Sequence, residues 1–270
     1  MSDVPDASPA PSVPRRDARR DRGAATDLVA KMRRTRRHPK PTQFDYLHMR
    51  HLVDDLGATL ARVGGNVTDV LDVFCGARPY DDLLPVGANV TGLDVPGNPY
   101  ALADVVSDEF LPFPDESFDL VMCIEAFHYV PDPAQGVAEL ARVLRPGGHA
   151  VVAVPFVWEY DRTVLEHRYT GPELAALFDK WTEVSVIENG GRAVAWSTLT
   201  ASFAGMIQWN LPDRTLLRHA VRPVFTGFYL LVNGTGVVLD RIERRYARGS
   251  ATLPMNLLLT AQRPAREPSA

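Results

Sequence analysis

From residue 44 to 63 the apolar positions Phe44, Leu47, Leu52, Leu56, Leu60 and Val63 recur at helical spacing. They predict an amphipathic helix that Gly64-Gly65 closes. The period then changes. Short apolar runs at 67–74, 89–94, 118–124 and 149–155 read as strands, and 182–187 and 254–261 add two more. Between the third and fourth runs, Val137, Leu140, Ala141 and Leu144 share one helical face, and Arg145-Pro146-Gly147-Gly148 is expected to turn that helix into the next strand. Strands alternating with helices predict an α/β fold, a doubly wound, mostly parallel sheet covered by helices.

The long interval of about 190–253, before the last strand, holds apolar stretches at 198–209 and 224–239 and is expected to form a helical insert, a cap or substrate subdomain. The second stretch is only about sixteen residues long and is broken by Gly227, Asn233, Gly234 and Gly236, whereas a spanning helix needs roughly twenty. No stable membrane insertion is therefore expected, and lid or core packing is.

Charge divides the chain. Residues 1–40 hold eleven Lys/Arg and five Asp, a net of +6 within a whole-chain net of −4, so residues 41–270 carry −10. An acidic body is a poor partner for phosphate backbones, which argues against nucleic acid. Residues 1–40 read as a disordered basic tail with a short helix near 27–37, residues 41–265 as one domain, and 266–270 as a second disordered tail. Two cysteines supply neither a disulfide framework nor a zinc site, and no His/Cys/Asp spacing suggests a metal. With no secretory signal visible, a cytoplasmic location is expected.

The chemistry gathers at the ends of the first two strands. The first runs into Asp72-Val73-Phe74-Cys75-Gly76-Ala77-Arg78-Pro79-Tyr80, where Gly76 allows a sharp turn close to a ligand. The second ends in Asp94, whose acceptor-only carboxylate suits a ribose diol. The turn lacks the glycine-rich pyrophosphate loop of dinucleotide sites, and Asp72 stands where an ammonium could be held.

Four motifs follow in order: Val70-Leu71-Asp72-Val73-x-Cys75-Gly76, Gly92-Leu93-Asp94, the run from Leu111-Pro112-Phe113 to Asp119-Leu120-Val121, and the run from Glu139-Leu140-Ala141-Arg142 to Pro146-Gly147-Gly148. Together they resemble the class I S-adenosylmethionine-dependent methyltransferases, in particular the type 11 group. Arg168-Tyr169-Thr170 and Pro172-Glu173-Leu174 add to the likeness. The resemblance implies a Rossmann-like seven-stranded sheet with its last strand antiparallel. It also implies S-adenosylmethionine as cofactor, with Asp72, Phe74, Cys75 and Gly76 at its methionine end, Asp94 and Val95 at its ribose, and Glu125 nearby. The family's adenine-side Asp falls on Ser107 here, so either Ser107 or Asp108 takes that role.

Phe74 departs from the pattern by standing where the family has its first glycine, and Arg78 replaces the third. Bulky residues avoid positive φ, so Phe74 is expected either to keep φ below zero or to tilt the loop. One reading packs it under the sheet; the other has it narrow or abolish the cofactor pocket.

Methyl transfer from a sulfonium needs mainly alignment, with a general base only for hydroxyl or protonated amine acceptors. Glu125, His128 and Tyr129, after the third long strand, are the candidate catalytic residues. Glu166 and His167 are further candidates near the acceptor, and Tyr46 and Arg50 could fold over the cofactor carboxylate. The reading is methyl transfer to oxygen, nitrogen or carbon of a small-molecule or lipid-like acceptor. The alternative is a binding protein of the same fold with weak or no catalysis.

Overall fold

A computed structural model describes residues 18–211, 215–247 and 252–266. The expected tails at 1–17 and 267–270 lie outside these residues. The elements are α1 (Ala18–Arg37), α2 (Tyr46–Val63), β1 (Asp69–Val73), β2 (Asn89–Asp94), β3 (Val105–Val106), β4 (Phe118–Ile124), α3 (Pro133–Val143), β5 (Leu144–Pro155), α4 (Gly171–Ala176), β6 (Thr182–Asn189), α5 (Arg192–Trp209), α6 (Thr215–Tyr246) and β7 (Asn256–Gln262).

The seven strands form one sheet in the order β3-β2-β1-β4-β5-β7-β6. All pairings are parallel except those of β7, which runs antiparallel to both β5 and β6. The chain starts at β1 and winds outward in both directions, so the strand order reverses between β1 and β4, and the carboxyl ends of these two strands border a natural crevice. Each inner strand is apolar on both faces. Leu71, Val121 and Val152 belong to one core cluster, and Val70, Leu120, Met122 and Val151 to the other, all fully buried. Fully burying such a side chain stabilises the fold by roughly 1.5–3 kcal/mol.

Several sequence expectations change here. The two-residue β3 has no counterpart among the expected strands, because so short a run carries no period. The turn at 145–148 is instead a bulge within β5: pairing passes from Phe118–Leu144 to Leu120–His149, leaving four residues of β5 outside the ladder. A Cβ on Gly148 would lie 2.9 Å from the Asp119 carbonyl oxygen, which is why glycine stands there. Arg145 in this bulge pairs with both Asp69 and Asp119, at 2.9 and 2.7 Å, tying the starts of β1 and β4 together.

The tail from residue 18 onward is also different. It is a twenty-residue helix, α1, rather than a short one in a disordered arm. Its last turns are docked: Arg33 Nε donates to the Ala77 carbonyl at 2.7 Å, and Arg37 pairs with Asp82 at 2.9 Å. At the other end, Arg266 pairs with Glu116 rather than opening a free tail.

The insert forms a helical hairpin, α5–α6, fixed on its inner side. Glu243 of α6 accepts the N–H groups of Arg192 and Ala193, supplying a negative charge at the start of α5. Buried Asn233 donates to the carbonyls of Pro41 and Gln43, both at 2.8 Å. At Gly236 a Cβ would meet Leu47 and Ser197 within 2.7 Å, so glycine sets the close approach of α6 to α2 and α5. Among the described residues, no helix is long and apolar enough to cross a membrane.

Candidate active site

The turn after β1 is built by alternating left-handed residues: Phe74, Gly76 and Arg78 have φ of 56°, 55° and 51°. The expectation that Phe74 keeps φ below zero or tilts the loop fails. The turn holds the glycine conformation at all three positions, at a cost of roughly 1–2 kcal/mol for each non-glycine residue. Compensation is visible for both. Arg78 donates to Asp81, Asp104 and the Val90 carbonyl. The Phe74 ring meets that of Phe110 with centroids 6.2 Å apart. Phe74 packs against the core cluster on one side of the sheet and also lines a cavity of about 960 Å³.

That cavity lies beyond the carboxyl ends of β1 and β2. Its wall includes Phe74, Asp94, Val95, Ser107, Asp108 and Tyr129, six of the residues singled out from sequence. Sequence reasoning missed Asn98, Phe110, Gln135 and Glu139, which also line it. Asn98 was findable as a polar residue four places after Asp94; the two α3 residues were not, since only the fold brings that helix here.

Asp94 organises the loop. Its Oδ2 accepts the Gly76 N–H at 2.8 Å and the Asn98 amide at 2.6 Å, and its Oδ1 accepts the Val95 N–H at 2.8 Å. Oδ1 thus keeps room for another donor. Cys75 is a packing residue: its Sγ sits 2.9 Å from where a Cβ on Gly92 would be, and burial pushes its thiol up to about 12. Ser107 Oγ accepts the Glu109 N–H at 2.9 Å, shaping the opposite wall.

Asp72 is buried yet makes no side-chain hydrogen bond or ion pair among the described residues. Burial pushes its pKa up to about 8, helped by Asp81 and Asp94 and opposed by Arg78. Glu125 follows β4 with φ of 57° and has a buried Oε1 without a partner. Burial raises its pKa to about 7 against the fields of Arg36 and Arg168. Neither Asp72 nor Glu125 is on the cavity wall, but buried carboxylates short of partners call for a ligand that brings positive charge or N–H and O–H donors. A molecule with an ammonium group and a ribose diol fits the acids of this site: Asp72 would take the ammonium and Asp94 the diol.

The 3-10 turn Phe127–Tyr129 carries the remaining candidates. Tyr129 is on the cavity wall, while Glu125 and His128 are not. The His128 and Tyr129 rings lie 4.0 Å apart, and His128 Nδ1 is buried without a partner. Burial, then Arg168, hold His128 down at about 4, with Glu166 opposing. It is thus neutral near pH 7. Glu166 pairs with Arg168 at 2.6 Å, and the N–H of His167 donates to the His128 carbonyl at 2.8 Å. The structure brings these residues together as a strap behind His128.

Tyr46 and Arg50 do not line the cavity. Arg50 is exposed on α2, donating to Tyr46 and facing Asp54 of its own helix. The arginines beside the turn are instead Arg33 and Arg36 of α1, within the segment expected to be a tail.

An α/β sheet with a crevice at its reversal point, one acid near the end of β1 and another at the end of β2, is an arrangement of the Rossmann-like class. Residues 71–152 match the model of the family described as "Methyltransferase domain". The 2-methyl-6-phytyl-1,4-hydroquinone methyltransferase of Synechocystis sp. is 32% identical over 179 residues, 58% of this chain and 55% of that protein. The phthiotriol/phenolphthiotriol dimycocerosates methyltransferase of Mycobacterium tuberculosis is 38% identical over 109 residues, 34% of this chain and 38% of that protein. The chain spans about half the length, or less, of the curated relatives it matches. Among solved structures, the [4+2]-cyclase SpnF superposes with a TM-score of 0.50 at 20% identity, over 82% of this chain and 83% of that one. At that identity the likeness to SpnF is one of fold.

Proposed function

We propose that this chain is an S-adenosylmethionine-dependent methyltransferase acting on a small-molecule or lipid-like acceptor. The observation that carries this reading is a pair of buried acids on neighbouring strands, Asp94 on the cavity wall at the end of β2 and Asp72 without a partner near the end of β1. The family match of residues 71–152 supports it, and so do relatives named for methylating a phytyl hydroquinone and phthiotriol dimycocerosates.

The cofactor supplies an electrophilic methyl carbon on a sulfonium. The protein's part is to hold and align. Asp94 Oδ1 would accept from a ribose hydroxyl, and Asp72, ionised when paired with an ammonium, would hold the amino acid end beside Gly76. Ser107 and Asp108 offer acceptors on the adenine side, and the Phe74 ring gives an apolar wall. On the acceptor side, Tyr129 would orient the acceptor at the cavity wall, and neutral His128, its ring 4.0 Å from that of Tyr129, is the candidate base if the acceptor is a hydroxyl. The acidic body disfavours nucleic acid as acceptor. The two free, buried cysteines fit a reducing compartment such as the cytoplasm.

Calorimetry with S-adenosylmethionine tests the first step, and transfer of a labelled methyl group to quinol and lipid acceptors tests the second. Absence of binding at millimolar cofactor overturns the whole reading. Binding without transfer to any acceptor leaves the binding-protein alternative in its place.

A further inference from the structure

The α5–α6 hairpin is fixed on one side and bare on the other. Between Ala193 and Trp209 there is no charged residue, and between Pro223 and Leu239 there is none either. The inner faces are accounted for: Ala201, Ala204, Tyr229 and Val232 form a buried cluster, with Ser197, Asn233 and Gly236 at the close contacts. The opposite face of each helix is exposed. Trp196, Phe203 and Met206 recur along α5 at helical spacing, and Phe228, Leu231 and Val238 do so along α6, with Phe203 62% and Leu231 68% exposed. The exposed large apolar side chains of α5 alone leave on the order of 600 Å² of apolar surface in water, the upper end of what a monomer shows. Each uncharged stretch is about 25 Å long at 1.5 Å per residue.

Charge indicates what covers this face. Arg222 stands at one end of the uncharged stretch of α6, and Arg241 and Arg245 stand at the other. All three are exposed, and none pairs with a carboxylate among the described residues. Among the described residues of the two helices, the acids are turned inward: Asp240 pairs with Arg244 at 2.7 Å, and Glu243 caps α5. An apolar, tryptophan-bearing band with unpaired arginines at its ends and, among the described residues of the two helices, no outward acid complements an anionic lipid surface, with tails against the band and phosphates against the guanidinium groups. Two copies joined through this face would instead set like charges together: Arg222 against Arg241 and Arg245 if antiparallel, Arg241 against its own counterpart if parallel.

We propose that the outer face of the α5–α6 hairpin docks on the surface of an anionic lipid bilayer, lying in the interface without crossing it. This stands on the two helices alone and does not depend on methyl transfer.

The test uses the full chain with vesicles of phosphatidylcholine and phosphatidylglycerol, and with phosphatidylcholine alone. Sedimentation is expected with the anionic vesicles, at least about tenfold stronger than with the neutral ones and weakened by salt. The double variant Phe203→Glu with Leu231→Glu is expected to lose at least about tenfold in binding, with its helical circular dichroism and thermal midpoint retained. Arg241→Glu with Arg245→Glu is expected to remove the preference for anionic lipid.

A readout without a destabilising change is quenching of tryptophan fluorescence by brominated phosphatidylglycerol, expected in the wild type and lost in Trp196→Phe with Trp209→Phe. No sedimentation, no quenching, or binding unchanged in the Phe203/Leu231 variant overturns the proposal. So does a concentration-dependent dimer, seen by analytical ultracentrifugation, that the Phe203/Leu231 variant breaks, since the face would then be a self-interface.

Discussion

The carboxyl edge of the sheet and the outer face of the α5–α6 hairpin depart from ordinary burial in opposite directions. At the sheet edge, Asp72, Asp94 and His128 are buried. On the hairpin, Trp209 is 78% and Phe203 62% exposed. Buried polar groups and exposed apolar ones are the informative exceptions in a folded protein. Each region is incomplete by itself: a buried carboxylate without a partner wants a donor, and an exposed apolar band wants to leave water. The chemistry wanted differs, a small polar cation in one case and a lipid surface in the other. The difference teaches that the two should be separable by mutation.

The sharpest cut is at His128. If the acceptor is a hydroxyl, His128→Asn lowers kcat about a hundredfold with little change in cofactor affinity, measured by steady-state kinetics with both substrates varied. A fall in cofactor affinity instead would make His128 part of the cofactor's support. Next comes Asp94→Ala. Removal of a charged acceptor should weaken S-adenosylmethionine about ten- to hundredfold by calorimetry and leave vesicle sedimentation unchanged. Conversely, the Phe203/Leu231 variant should leave cofactor affinity unchanged. If either variant moves both readouts, the two regions are not independent and the comparison breaks.

Smaller effects sharpen the site itself. Phe74→Ala should weaken the cofactor about three- to tenfold, because the ring forms a wall of the cavity. Unchanged or tighter binding would make the ring an obstruction. The smallest effect is protonic. The folded chain holds the Asp72 proton up to about pH 8, while the unfolded chain releases it near the ordinary value of 3.8. Stability contributed by the protonated form is therefore lost as pH rises through that window. An ammonium ligand favours the ionised form. Cofactor binding at about pH 6.5 should thus release up to one proton, and affinity should rise with pH until about 8. Calorimetry in two buffers of different ionisation heat measures that proton.

Much of the sheet was legible because its signal is local. The runs at 89–94 and 118–124 are the strands found, since an apolar run between turn residues reports a buried strand directly. Asp72, Gly76 and Asp94 were legible for the same reason: each stands at a strand end. The contacts of α1 were not, because a run of arginines reads as solvated until Arg33 is seen on the Ala77 carbonyl and Arg37 on Asp82. Nor were Gln135 and Glu139, which reach the cavity only because α3 packs beside β4 and β5.

By itself, then, the sequence determined the alternation of strands and helices, the acids at the ends of β1 and β2, and two helices without charge in the insert. Those are properties of neighbouring residues, set by period and residue type. Only the tertiary structure decided that Phe74 adopts φ of 56° and faces the cavity, since that depends on Phe110 and on the Gly76 N–H bound to Asp94. It alone decided which side of the hairpin is covered, because α2 and the close approach at Gly236 take one face of α6 and leave the other to solvent.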